Sequence, residues 1–312
     1  MSLAEREIRL SASPAPPSSL SPTSASTWQQ CELKYALSYL FGWREPSTLP
    51  QLIGNVVHRA VELLFGLDPA ERSRAVASEL LTRALAEELD HTTYQPLLRR
   101  VDPRPDVLTA GEDALDGLFK LEEPRYVTVS AAGLEVEVRA EMYGAPIKGR
   151  IDRIYDANGA EVVADYKTGK VPPPRFTEKA FFGLWTYAAA LAASDPEHRL
   201  ADRIELIYLI GRERLARPVL REVALEHAKT LARMWRQIDD TVNTGRVTAR
   251  RSRLCDWCAF QPACPVFGSV PPVGSEKHDE VLTDRGLVQV SRRRVAREVE
   301  RLEPAGSLEE EP

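Results

Sequence analysis

Long apolar runs are missing from this chain of 312 residues. No segment approaches the ~20 consecutive apolar residues that a membrane-spanning helix requires. The N-terminus also lacks a basic-then-apolar leader, so a cytoplasmic location with no membrane partner is expected. Cationic excess is absent as well: 41 Lys+Arg stand against 46 Asp+Glu, a net charge of −5. That balance excludes a general polyanion-coating role, which rests on many exposed cations, so any polyanion must be met locally. Aromatic residues make up only 7% of the chain, and there is no repeat of fixed period. Cysteine is scarce too, with Cys31, Cys255, Cys258 and Cys264 alone. In a reducing compartment, four thiols with three of them clustered suggest a metal site before disulfides. What is plentiful is ordinary globular material, 43% hydrophobic and 28% charged residues, enough for a sizeable core.

Three regions are expected. Residues 1–22, rich in Ser and Pro, read as a flexible lead-in. Residues 23–268 read as a single folded domain. Residues 269–312, with Arg292, Arg293, Arg294, Arg297 and the run Glu309, Glu310, Glu311, read as a partly disordered charged tail. Inside the domain a helix starts at Ser24 or Ser26 and runs to Leu40, and a second covers Leu52 to Leu64 with Val56, Val57, Ala60, Val61 and Leu64 buried. Residues 69–90 and 106–121 are amphipathic helices. The period then changes to two: strands through Leu134–Val138, Lys148–Tyr155 and Glu161–Lys167 form a meander turning at Asn158-Gly159. A helix near 177–193, a strand at 204–210, a strand near 219–223 and a helix over 225–242 complete an α/β (α+β) core with helices on its faces.

The most informative stretch is Gly149-Arg150-Ile151-Asp152 followed by Ala164-Asp165-Tyr166-Lys167-Thr168-Gly169. Residues two apart on a strand share a face, so Asp165 and Lys167 project together while Ala164 and Tyr166 point the other way. If the Asn158-Gly159 turn pairs these strands, Asp152 lies within a few ångströms of Asp165. Two hard oxygen ligands facing one gap suit Mg²⁺ or Mn²⁺, and a lysine beside them suits phosphodiester hydrolysis. The bland reading is a surface cross-strand ion pair. His58, one turn after Gly54 on its helix, is a third candidate, although a lone helix histidine is more often a hydrogen-bonded structural residue.

Cys255-x2-Cys258-x5-Cys264 places three thiolates within ten residues, in a loop that Pro262 and Pro265 hold outside regular structure, with Cys31 far upstream. Spacing leaves structural zinc and a [4Fe-4S] cluster as equal alternatives, with four unrelated buried thiols behind them. Either metal would clip the N-terminal helix to the C-terminal loop.

Leu20-Ser21-Pro22-Thr23-Ser24 leading to Cys31, then Gly54-x3-His58, Gly149-Arg150-Ile151-Asp152-Arg153-Ile154, Asp165-Tyr166-Lys167-Thr168-Gly169 and the cysteine cluster resemble, in order, the RecB-type branch of the PD-(D/E)XK nucleases. That branch includes the nuclease domain of AddB-type helicase–nucleases and the Cas4 nucleases. The resemblance implies a restriction-endonuclease-like core, with a central mixed sheet flanked by helices, a helical N-terminal part and an iron–sulfur-clipped C-terminal loop. It implies His58, Asp152, Asp165 and the Tyr166 backbone carbonyl as Mg²⁺ or Mn²⁺ ligands, Lys167 as catalytic lysine, and Cys31, Cys255, Cys258 and Cys264 as holders of a structural [4Fe-4S] cluster. The family's Gln-x3-Tyr becomes Gly183-x3-Tyr187 here: Tyr187 is kept and the amide is not.

The expected function is a metal-dependent DNA nuclease, an exonuclease preferring single strands or DNA ends, acting in repair or recombination. No Gly-x4-Gly-Lys-Ser/Thr phosphate loop occurs, so ATP-driven unwinding would need a separate helicase partner. The alternative is a catalytically weak DNA-binding or scaffold subunit; Gly183 favours it, and the complete His58, Asp152, Asp165 and Lys167 set argues against it. Arg246, Arg250, Arg251 and Arg253, directly before the clustered cysteines, are candidate phosphate contacts, or else a solvated charge run.

Overall fold

A computed structural model of the protein describes residues 5–194 and 200–290. In chain order the strands are β1 (Glu5–Arg9), β2 (Trp43–Arg44), β3 (Leu134–Met142), β4 (Ala145–Ala157), β5 (Ala160–Lys167), β6 (Arg203–Tyr208), β7 (Glu213–Pro218), β8 (Arg246–Arg250) and β9 (Val288–Gln289). The α-helices are α1 (Pro22–Gln30), α2 (Glu32–Tyr35), α3 (Leu49–Phe65), α4 (Arg74–Leu89), α5 (Gln95–Leu98), α6 (Arg104–Leu121), α7 (Thr177–Ala180), α8 (Phe182–Ser194), α9 (Arg221–Thr244) and α10 (Glu276–Asp284). Contacts divide the chain into two compact units, where the sequence leads one to expect a single domain over 23–268. Among the described residues, one unit comprises Ser18–Ser26 and residues from Pro46 to Ile238; the other draws on residues 5–17, Thr27–Glu45 and residues 239–290.

The larger unit is built on a five-stranded mixed sheet of order β3-β4-β5-β6-β7, antiparallel except for the parallel pair β5–β6. It bears out the expected central mixed sheet with flanking helices. The meander forms because Asn158 and Gly159 both adopt positive φ, 58° and 86°, and Asp156 accepts the Gly159 N–H. A parallel pair requires a crossover, and α7 and α8 supply it between β5 and β6. Helix α3 begins with a reciprocal capping box between Thr48 and Gln51. It buries Leu52, Val56, Val57, Ala60, Val61, Leu64 and Phe65 in a cluster shared with α4, α6 and the strand residues Tyr155, Val162, Ala164, Tyr166 and Ile207.

The structure departs from the sequence expectations at several points. The strand expected near 219–223 is β7, which ends at Pro218, where proline cannot extend a ladder; the next residues start α9. The first helix starts at Pro22, capped by Ser21, which exchanges backbone and hydroxyl hydrogen bonds with Ser24 at 2.9 and 3.1 Å. It does not run unbroken to Leu40, because Cys31 is extended (φ −165°) and opens α2. A π-helical turn over Ala36–Leu40 follows.

In the smaller unit, the expected flexible lead-in contributes β1, which pairs with β8 in the register Glu5↔Arg250 to Arg9↔Arg246, while Ile8 and Leu10 are buried. That pairing partner is more than two hundred residues away, so local composition carries no trace of it. The expected tail likewise contributes α10 and β9, with His278 and Leu282 fully buried. Its remaining part, including Arg292 to Arg297 and Glu309 to Glu311, lies outside the described residues.

Candidate active site

The register of β4 and β5 pairs Arg153 with Ala164, so the next position sets Asp152 opposite Asp165. Tyr166 N–H donates to Asp152 Oδ2 at 2.7 Å, which fixes that carboxylate at the strand pair. Tyr166 and Ala164 are buried in the core cluster, so alternation projects Asp165 and Lys167 from the other face, as their spacing implies. Lys167 Nζ stands 2.6 Å from Asp165 Oδ2. Helix α3 delivers His58, whose Nδ1 lies 3.4 Å from Asp152 Oδ2. Four of the residues singled out in the sequence thus meet in one place.

The electrostatics follow from burial and proximity. Burial opposes a charge on His58, but Asp152 and, more weakly, Asp165 outweigh it and lift the imidazole to about 8. Burial raises the Asp165 carboxyl, with the Asp152 charge adding and Lys167 opposing. Asp152 is held below the ordinary carboxylate value because His58, the Tyr166 N–H and Lys167 outweigh its burial. Two facing carboxylates driven in opposite directions are a usual feature of sites that handle protons or cations.

Tyr187, the fifth candidate, packs its ring over β4. A Cβ at Gly149 would lie 2.4 Å from Tyr187 Cε1, so the first residue of the Gly149-to-Asp152 stretch is glycine because an aromatic ring occupies its side-chain space. Burial, then Asp165 and Asp152, push the Tyr187 hydroxyl above the ordinary tyrosine range, keeping it neutral. At Gly183 a Cβ would make ordinary contact with Pro22 Cβ at 3.7 Å, leaving room for the first side-chain atom of a glutamine.

Sequence reasoning missed Glu135. The pairs Leu134↔Arg153 and Val136↔Ile151 bracket it, so it lies opposite Asp152 and completes a row Glu135, Asp152, Asp165 across three neighbouring strands. Its φ of 48° is left-handed, a strained conformation for a glutamate. Burial, then the charges of Asp152 and Glu62, raise its carboxyl to about 7, while His58 and Arg150 oppose. In sequence it is one of several acids alternating with apolar residues on a strand; only its register distinguishes it.

Arg153 is the other omission. It is fully buried behind Asp152, forked onto Glu122 at 2.6 and 3.0 Å, with its guanidinium 4.3 Å from the Tyr155 ring centre and 5.2 Å from that of Tyr166. It braces the reverse side of the strand that carries Asp152.

Among the described residues, no three His, Cys, Asp or Glu side chains are close enough to hold one metal ion. The acidic set is not closed around a point because its members engage one another: Asp152 takes His58 and the Tyr166 N–H, and Asp165 faces Lys167. The donor chemistry nevertheless fits a hard divalent ion, since two carboxylates, Asp152 and Asp165, stand opposite each other on the hairpin and offer hard oxygen donors.

In the smaller unit, Cys31, Cys255, Cys258 and Cys264 are all free thiols and line one cavity together with Leu33, Lys34 and Phe260. Burial pushes the Cys264 thiol up to about 11, and Cys31, Cys258 and Cys255 add to the rise. His278, which sequence reasoning also passed over, holds this loop through a 3.0 Å contact between its Nε2 and the Ala263 carbonyl. Of the four arginines before the cluster, Arg250 is committed to Glu5 and the Gln29 carbonyl.

A family model described as the PD-(D/E)XK nuclease superfamily matches residues 19–265. The chain belongs to the PD-(D/E)XK nuclease superfamily. Membership makes it a nuclease that hydrolyses phosphodiester bonds, and nucleases of this superfamily generally use divalent metal ions. Both residues of the Asp-x-Lys element, Asp165 and Lys167, and the preceding Asp152 fall inside the match and inside the cluster described above. No curated protein matches the chain. A solved structure described as "Crystal structure of SSO0001" is similar over 70% of this nuclease and 96% of that chain at 17% identity, with a TM-score of 0.30.

Proposed function

We propose that this nuclease cuts DNA with Mg²⁺ or Mn²⁺, as an exonuclease preferring single strands or ends, in repair or recombination. The observation that carries the reading is the meeting of Asp152, Asp165, Lys167 and His58 on the β4–β5 hairpin and α3. Asp152, Asp165, His58 and the Tyr166 carbonyl are the proposed holders of the ion. When bound, a divalent ion lowers the pKa of its water and polarises the phosphoryl oxygens. Lys167, kept protonated by Asp165 against its partial burial, brings a fixed positive charge to the scissile phosphate. Asp152 orients the His58 ring, and Tyr187 stays a neutral hydroxyl donor beside the carboxylates. The scaffold alternative rests on Gly183 alone, and the neighbouring Asp165–Lys167 pair has little use in a scaffold. For the cysteines we propose a structural [4Fe-4S] cluster, supported by their lining a common cavity; zinc in place of iron and sulfide in the purified protein overturns that assignment.

The experiment is degradation of end-labelled single-stranded DNA, linear and circular, with Mg²⁺ or Mn²⁺. Loss of cleavage in Asp165→Ala and Lys167→Ala is expected, with circles resistant. Undiminished cleavage in both variants places the active site elsewhere, and efficient cutting of circles replaces the exonuclease reading with an endonuclease one.

A further inference from the structure

The loop that carries the clustered cysteines exposes a group of large apolar side chains close together in sequence. Trp28, Trp43 and Trp185 are buried, but Trp257, between Cys255 and Cys258, is 78% exposed. Leu254 on the same 3-10 turn (Arg253–Trp257) is 51% exposed, and Phe267 beyond the loop is 38% exposed. A bare indole and an aliphatic side chain on one short turn are costly to hydrate, and this is more than a single scattered surface apolar residue.

Arginines without ion-pair partners accompany it. Among the described residues Arg246, Arg251 and Arg253 enter no ion pair, and Arg251 lies over the Phe267 ring at 5.0 Å. Asp256 is the one acid on the turn. Flat aromatic and guanidinium faces beside uncommitted cations complement a ligand with π-faces and a negative backbone, which describes unpaired nucleotides. A duplex offers its phosphates but keeps its base faces stacked.

We infer that the exposed face of the cysteine loop is a single-strand platform, on which Trp257 stacks a nucleobase while Arg253 and Arg251 take the adjoining phosphates. The inference rests on the DNA-cutting reading above and adds to it a residue that selects unpaired DNA.

The test is binding of a labelled single-stranded oligothymidine and of a blunt duplex of equal length, each at several salt concentrations, to full-length protein disabled by Asp165→Ala. Trp257→Ala is expected to weaken single-strand binding about tenfold or more, the usual effect of losing one base–aromatic stack, with duplex binding unchanged. Trp257→Phe retains most of the affinity, which separates stacking from a folding defect. Arg253→Ala weakens both substrates and flattens the salt dependence. Trp257→Ala binding the oligonucleotide as tightly as its parent, or losing single strand and duplex equally, overturns the platform. So does an unchanged affinity accompanied by a shift from dimer to monomer, which would assign the face to a second copy of the chain. Cleavage by the wild type without any dependence on Trp257 sinks the platform alone. Trp257-dependent binding without metal-dependent cleavage sinks the DNA-cutting reading and leaves the platform.

Discussion

Replacing Arg153 with methionine tests whether the strand carrying Asp152 is held from behind by a buried charge pair. The Arg153 side chain is fully buried, donates to both oxygens of Glu122, and sits over the Phe65, Tyr155 and Tyr166 rings at 4.7, 4.3 and 5.2 Å. Methionine fills much of the arginine stem, so the lost quantity is the charge and its two hydrogen bonds. Removing one partner of a buried pair typically costs about 3–5 kcal/mol, because the other charge stays buried. Glu122 keeps a second partner, Arg214 Nη2 at 2.5 Å, which places the expected loss near the lower end, about 3 kcal/mol. Chemical denaturation of the single variants and of Arg153→Met with Glu122→Gln measures it. The double variant should recover at least about 1 kcal/mol relative to the sum of the singles, since neither charge is then stranded. The pH dependence has a definite sign. Against its burial, Arg153 and Arg214 hold Glu122 below its ordinary 4.5, so this pair's stabilisation is fully present above pH 4.5 and is lost as pH falls through the lower folded-state value. A single variant within about 0.5 kcal/mol of wild type, or strictly additive effects, would refute the bracing role.

Two further outcomes are expected. Glu135 titrates near 7 in the fold and at an ordinary 4.5 when unfolded, so its contribution to stability falls as pH rises from 4.5 to 7. With screening by solvent, Glu135→Gln should stabilise the protein by about 1–2 kcal/mol at pH 8 and by nothing below pH 4.5, in thermal melts run with a metal chelator. An equal gain at both pH values would mean that relief of the left-handed backbone, and not the charge, is responsible. Gly183→Gln should stabilise α8 by about 0.5–1 kcal/mol through lower backbone entropy and raise kcat by restoring an amide one turn before Tyr187; a lower melting temperature would show that the space beside Pro22 does not admit the side chain.

How much of this was legible in the sequence depends on the range over which each feature is encoded. The β4–β5 hairpin was legible because Asn158-Gly159 demands a tight turn and Asp165, Tyr166 and Lys167 alternate across a strand, both properties of a few adjacent residues. The buried face of α3 was legible for the same reason, through its period. Glu135, Arg153 and β1 were not. Glu135 matters only through its register against Asp152, Arg153 only through Glu122 thirty-one residues away, and β1 only through β8 at the far end of the chain. Each looks, in sequence, like an ordinary surface charge or a loose end. The motif Gly149-Arg150-Ile151-Asp152-Arg153 therefore encodes three separate demands: no side chain at 149 because Tyr187 lies there, a carboxylate at 152 for the site, and a guanidinium at 153 to hold the strand from its other side. Because those demands lie on both faces of one strand, changes at 153 and 149 should move stability and site geometry together, whereas changes at Lys167, which is 41% exposed, should move activity with little effect on folding.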